Sequence, residues 1–173
     1  MVCHCTNCQE FARYCEAEDR ILDRNAGTDL YQSRCAHVDI HIGRDHLACI
    51  HLTEKPTLRW FAACCRTPMF NSYANGKIPY ITTLVPNCDG ARRDRVLGEP
   101  LGHLFLDDAP CAESGLRRMS IGRLMRRFFV RMVKDLLSGD RRRNPLFDPD
   151  TLLPIAEPHR LSADERRALK HTG

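Results

Sequence analysis

Between Ser120 and Ser138 apolar side chains return every three or four positions, and Ile121, Leu124, Met125, Phe128, Phe129, Met132, Val133, Leu136 and Leu137 trace one stripe. That period predicts a helix over about 120–138. Gly139 suits a left-handed residue just past its end, the arginines that follow lie at the negative end of its dipole, and Pro145 prevents continuation. Ahead of Ser114 the period drops to two. "HVDIHI" (37–42) sets Val38, Ile40 and Ile42 on one face and His37, Asp39 and His41 on the other, which predicts a strand with a solvated polar face. "LACIHL" (47–52), "TLRWFAA" (57–63), "IPYITTLV" (78–85) and "GHLFL" (102–106) predict four more, separated by Gly, Pro, Asn and Asp. One short helix is expected among them, over "CQEFARYCEAEDRIL" (8–22). After the long helix a Pro-rich stretch runs extended to Ser162, which with Glu165 has capping-box spacing for a final helix over about 163–170. The pattern therefore predicts a mainly β domain over 1–113 and an α-helical extension over 114–173, α+β overall.

Charge sharpens this division. Residues 1–113 hold 12 Lys and Arg against 15 Asp and Glu, whereas 114–173 hold 14 against 7. The long helix carries Arg123, Arg126, Arg127, Arg131 and Lys134 beside its apolar stripe. Packing of the stripe on the β domain, with solvated arginines, is the first expectation; an anionic membrane, a partner surface or nucleic acid is the alternative. No apolar run approaches the roughly 20 residues that cross a bilayer, and no signal-peptide core follows the start, so a soluble cytoplasmic protein is expected. In a reducing compartment its ten cysteines read as thiols or metal ligands, not disulfides.

Three of them crowd the opening "MVCHCTNCQ" as C-x-C-x2-C: Cys3, Cys5 and Cys8. Short spacers let thiolates of one loop converge on a thiophilic tetrahedral ion such as zinc; the ordinary alternative is three small thiols packed in a core. Four protein ligands would make a closed structural site, and three would leave a position for water or substrate. His4, between two of the ligands, is expected to point away from them as an exposed loop residue. Cys15, two helical turns beyond Cys8, is a reserve ligand. Trp60 and Phe61 read as core, and Cys35, Cys49, Cys88 and Cys111 show no metal-like spacing.

"CHCTNCQ", followed after a β-rich interval by the aromatic strand ending "CCRTP", resembles the glutathione-dependent formaldehyde-activating enzymes and centromere protein V. That superfamily has a zinc-binding β-tent fold and the motifs C-x-C, C-H-C-x2-C and C-x2-C-G-T-P. The resemblance implies that Cys3, Cys5 and Cys8 hold the family's catalytic zinc and meet glutathione, and that Cys65 matches the second cysteine of its C-x2-C. Two departures follow. Ala62 stands where the first cysteine of that pair belongs, and no C-x-C strand precedes Met1 in this sequence, so one zinc ion is expected instead of two. Whether such a strand lies upstream in a longer chain stays open. Cys65, or Cys64 if a bulge turns it inward, is then a candidate to close the three-cysteine site.

The activity implied by the resemblance is that of a carbon–sulfur lyase acting on the glutathione adduct of a small aldehyde. Three thiolates outweigh the charge of one zinc ion, so donors are needed nearby, and the carboxylates of glutathione need cations. Arg59 and Arg66 are the candidates for binding glutathione, with Lys77 in reserve. The alternative function is a non-catalytic, zinc-stabilised binding module that works through the basic helix.

Overall fold

The framework of the structure, a computed structural model describing residues 1–110 and 113–169, is one eight-stranded mixed sheet. Its strands are β1 (Val2–Cys3), β2 (Thr28–Ser33), β3 (Leu47–His51), β4 (Thr57–Ala62), β5 (Thr67–Tyr73), β6 (Ile81–Leu84), β7 (His103–Leu104) and β8 (Pro158–Arg160). They lie in the order β7-β1-β2-β6-β5-β4-β3-β8, antiparallel except where β7 joins β1 and β8 joins β3. Five helices accompany them: α1 (Thr6–Tyr14), α2 (Glu18–Ile21), α3 (Gly90–Leu97), α4 (Ile121–Leu137) and α5 (Ala163–Ala168). The fold is α+β. Among the described residues no helix is long and apolar enough to cross a membrane.

Strand parity distributes the core over both faces of the sheet. On β4, Leu58 and Trp60 point into a cluster with Cys49, Phe70, Ile81, Leu146 and Phe147. Phe61 points the opposite way, into a cluster with Ile50, Leu84 and the α1 residues Phe11 and Ala12. Since side chains alternate along a strand, Arg59 shares the α1 side with Phe61. This parity puts a cation beneath the start of α1.

Several expectations need correction. Segment 37–42 forms no strand: a 3-10 turn covers Cys35–His37, and Ile42 is exposed. Alternation proposes a strand, but a strand needs an edge, and both edges of β3 are occupied by β4 and β8. His37, Asp39 and His41 are exposed, as a solvated polar set would be. The helix expected over 8–22 breaks into α1 and α2, with Glu16 in the left-handed region at φ 51°. Sequence pattern also misses β1, β2, β5, β8 and α3. The short final helix is present with its capping box, Ser162 accepting from the Glu165 N–H and Glu165 accepting from the Ser162 N–H. The end of the expected range, residue 170, and Cys111 lie outside the described residues.

The long helix forms within one residue of its expected bounds, yet its apolar stripe does not pack as expected. Leu124, Phe128 and Met132 are half-buried, while Met125, Phe129, Val133 and Leu136 are exposed. Its fully buried residue is Asp135, which accepts from Arg34 Nε at 2.5 Å. Downstream the chain returns to the sheet: Leu146 and Phe147 enter the Trp60 cluster, and β8 extends the sheet beyond β3.

Candidate metal centre

Cys3 closes β1, which is held between β2 and β7, so its position is set by ladders on both sides. Cys5 caps α1 and Cys8 lies in its first turns, where Cys8 N–H donates to Cys5 O at 2.9 Å. A strand end running straight into a helix start thus brings three sulfurs to one point. Sγ of Cys3 is 3.4 Å from that of Cys5, and Cys5 Sγ is 3.5 Å from Cys8 Sγ. All three lie within 4.8 Å of one another. Sulfurs bound to one tetrahedral zinc ion stand about 3.8 Å apart, so the donor set fits a thiophilic ion with little movement. Among the described residues no other His, Cys, Asp or Glu joins this group.

The site sits at the N-terminus of α1, whose dipole favours negative charge there. A fixed cation adds to it. Arg59, buried on β4, reaches Cys8 Sγ with Nη1 at 3.6 Å and donates to Asn71 Oδ1 at 2.8 Å. Asn71 Nδ2 in turn donates to Thr82 Oγ1 at 3.0 Å, so β4, β5 and β6 together orient the guanidinium. The three thiols titrate unequally. Bonding from Cys3 and Cys5, followed by the Arg59 charge, holds Cys8 well below the ordinary thiol range despite burial. Bonding to Cys5 and Cys8, together with burial, pushes Cys3 up. Burial opposes the charged form of Arg59, but Cys8 and Cys5 outweigh it and hold the guanidinium charged. Half-buried Tyr80 lies near the cluster; burial raises its phenol, and its ring meets Phe128 of α4 edge-on at 5.7 Å.

His4 is the clearest departure from expectation. Far from exposed, it is fully buried. Its Nδ1 lies 3.0 Å from Asn25 O and its Nε2 lies 2.9 Å from His103 Nδ1. Gly27 makes room for it: a Cβ there would stand 2.5 Å from His4 Cε1. Gln9 adds a further brace, donating to His4 O at 2.7 Å and to Asp108 O at 3.1 Å.

Cys64 and Cys65 do not reach the cluster. Both are exposed at the tip of the β4–β5 hairpin. Arg66 fixes that tip to the far end of α1, donating to Glu16 Oε1 at 2.8 Å and to Tyr14 O. Cys8 and Tyr14 are separated by roughly 9 Å of helix, so the tip lies at the wrong end of α1 to close the site. For the same reason Arg66 is not beside the sulfurs, and Lys77 is exposed elsewhere. Cys15 is buried in the core cluster beside Ala12 and is not a ligand. Arg59 is at the site, but it faces a sulfur and is too buried to clamp a glutathione carboxylate. Pattern reading missed Asn71 and Thr82, which the sequence does not set apart from the other polar residues of β5 and β6.

A family model described as a family of unknown function (DUF6151) matches residues 1–157. No curated protein and no solved structure matches the chain.

Proposed function

The chain belongs to that family of unknown function, and from its thiol cluster we propose that it binds one zinc ion through Cys3, Cys5 and Cys8 and works as a thiol-linked enzyme on a small aldehyde. The observation that supports this reading is the convergence of three sulfurs, with no fourth side-chain ligand beside them among the described residues. Three protein ligands leave a tetrahedral ion one position for an exchangeable group, which is the catalytic arrangement. When bound, the ion would supply Lewis acidity and a place where a small thiol such as glutathione is held as thiolate.

The protein's part is charge balance and orientation. Three thiolates leave the shell net negative, and Arg59 offsets this from beneath Cys8 while Asn71 fixes its fork. The dipole of α1 acts in the same direction. The reaction proposed is formation or cleavage of the carbon–sulfur bond between a thiol and a small aldehyde, as in the formaldehyde-activating enzymes that "CHCTNCQ" resembles. A β-tent relationship belongs to the same proposal.

Metal analysis of reduced, purified protein tests it directly. One zinc ion per chain is expected, lost in Cys3→Ser, Cys5→Ser and Cys8→Ser and retained in Cys64→Ser and Cys65→Ser. Glutathione should bind the zinc form in calorimetry and shift the spectrum of a cobalt-substituted site. Protein without metal sinks the whole reading. Metal that ignores glutathione removes the enzyme and leaves a zinc-stabilised module.

A further inference from the structure

The exposed side of α4 is unusual for a helix tied into a sheet protein. Ile121, Met125, Phe129, Val133 and Leu136 follow one another at helical spacing, each at least 40% exposed. Seventeen residues make this stripe about 25 Å long. Unpartnered apolar surface of such extent marks an interaction site. On the other flank of the helix, roughly 150° around from the stripe at 3.6 residues per turn, opens a groove of about 330 Å³ lined by Arg34, Arg126, Arg127, Val130, Arg131 and Lys134, so every charged group on its walls is cationic.

The charges select the occupant. The single acid of α4 is Asp135, and it is buried against Arg34. Arg34 also binds Asp140, and Arg131 donates to Gln32 O. Arg126, Arg127 and Lys134 have no ion-pair partner among the described residues. We propose that α4 docks the protein on an anionic lipid bilayer, its apolar stripe entering the headgroup and acyl boundary and the long basic side chains of its other flank reaching back to lipid phosphates. An amphipathic helix lying in the plane of the interface needs this pairing of apolar face and basic flank. The Arg34 clasp holds the stripe outward before any membrane is met.

Flotation of the full chain with vesicles tests the proposal. It should float with phosphatidylcholine containing about 30 mol% phosphatidylglycerol and stay behind with phosphatidylcholine alone. Because each cation near the surface is worth about fivefold, Arg126→Gln with Arg127→Gln should weaken partition roughly 30-fold. Phe129→Glu should abolish it, and Ile42→Ser, which removes an exposed apolar residue elsewhere, should leave it unchanged. Phe129→Trp should shift its emission to the blue on anionic vesicles, against the constant signal of the buried Trp60. The proposal is overturned if anionic vesicles do not carry the protein, or if Ile42→Ser weakens binding as much as Phe129→Glu. It is also overturned by binding to mixed-sequence duplex DNA without binding to vesicles, or by a lipid-free dimer that Phe129→Glu dissolves.

Discussion

Arg59 shows how a single buried side chain sets the character of the cluster. Its guanidinium faces buried Cys8 and is held by Asn71, so removing it leaves thiolate charge uncompensated on the buried side of the site. Arg59→Gln should lower metal affinity about 10- to 100-fold, and Asn71→Ala should produce a smaller loss through misplacement. Competition with a chromophoric chelator measures both, and equal affinity in Arg59→Gln would refute the charge-balancing role. Thiol reactivity offers a second check. Burial pushes Cys15 and Cys49 up to about 12, and burial followed by Asp135 does the same to Cys35. At pH 7.5 such thiols are ionised to about one part in 30,000. Cys65 is instead exposed and lowered by bonding to Thr67. Brief alkylation at that pH should therefore label Cys65 first and spare Cys15, Cys35 and Cys49, as peptide mass mapping would show. C-x-C-x2-C was legible because its spacing is local. Arg59 was visible as a lone cation within an apolar strand, but its partner lies 51 residues away, and only the fold identifies it. His4 was misread because nothing in the sequence announces that β1 is a buried strand of two residues.

At the level of elements, α4 separates what periodicity gives from what it withholds. Its bounds followed from an uninterrupted 3.6-residue pattern, whereas the direction of the stripe depends on contacts outside the helix. Arg34 and Asp135 take part in deciding it, because a pinned and buried Asp135 carboxylate fixes the rotation of the helix about its axis. The strand expected over 37–42 fails in a related way: alternation describes a candidate strand but supplies no partner, and β3 is paired with β4 and β8 instead. Arg34→Ala would leave Asp135 buried without its cation, one oxygen of which already lacks a hydrogen-bond partner. A loss of about 3 kcal/mol is expected in denaturant unfolding, near the lower end for breaking a buried pair because Arg34 is itself partly exposed. The same clasp has an acid limit. The Ser138 hydroxyl, followed by Arg143 and Arg34, holds Asp140 below the ordinary carboxylate range. A depressed carboxyl contributes stability above its unfolded pKa and loses that contribution as pH falls through the folded one. Asp140→Asn should thus lower stability at neutral pH and flatten its decline below about pH 4, where the wild-type carboxyl loses its contribution. An unchanged acid slope would place the loss elsewhere.

Across the whole molecule, the division at residue 113 was legible as a change of charge and period, but the core ignores it. Leu146 and Phe147 are fully buried against the β domain, and Phe147 meets the Trp60 ring edge-on at 6.0 Å. Arg166 of α5 reaches back to Glu10 of α1, a fully buried acid, at 2.9 Å. The C-terminal third therefore closes both faces of the sheet: one through Phe147, the other, beside the cysteine cluster, through α5. Composition could not reveal this, because two apolar residues in a Pro-rich stretch look like a linker until the fold sets them against Trp60. Phe147→Ala should cost about 3–5 kcal/mol through lost burial and the cavity left behind. Trp60, the single tryptophan, reports the event without labelling. A fragment of residues 1–113 is the harder test. Without Phe147 and α5 it should show red-shifted Trp60 emission, no cooperative unfolding transition and loss of the bound metal. A fragment that folds, keeps Trp60 shielded and retains metal would instead make the β-rich part an independent domain, with everything after it an appendage.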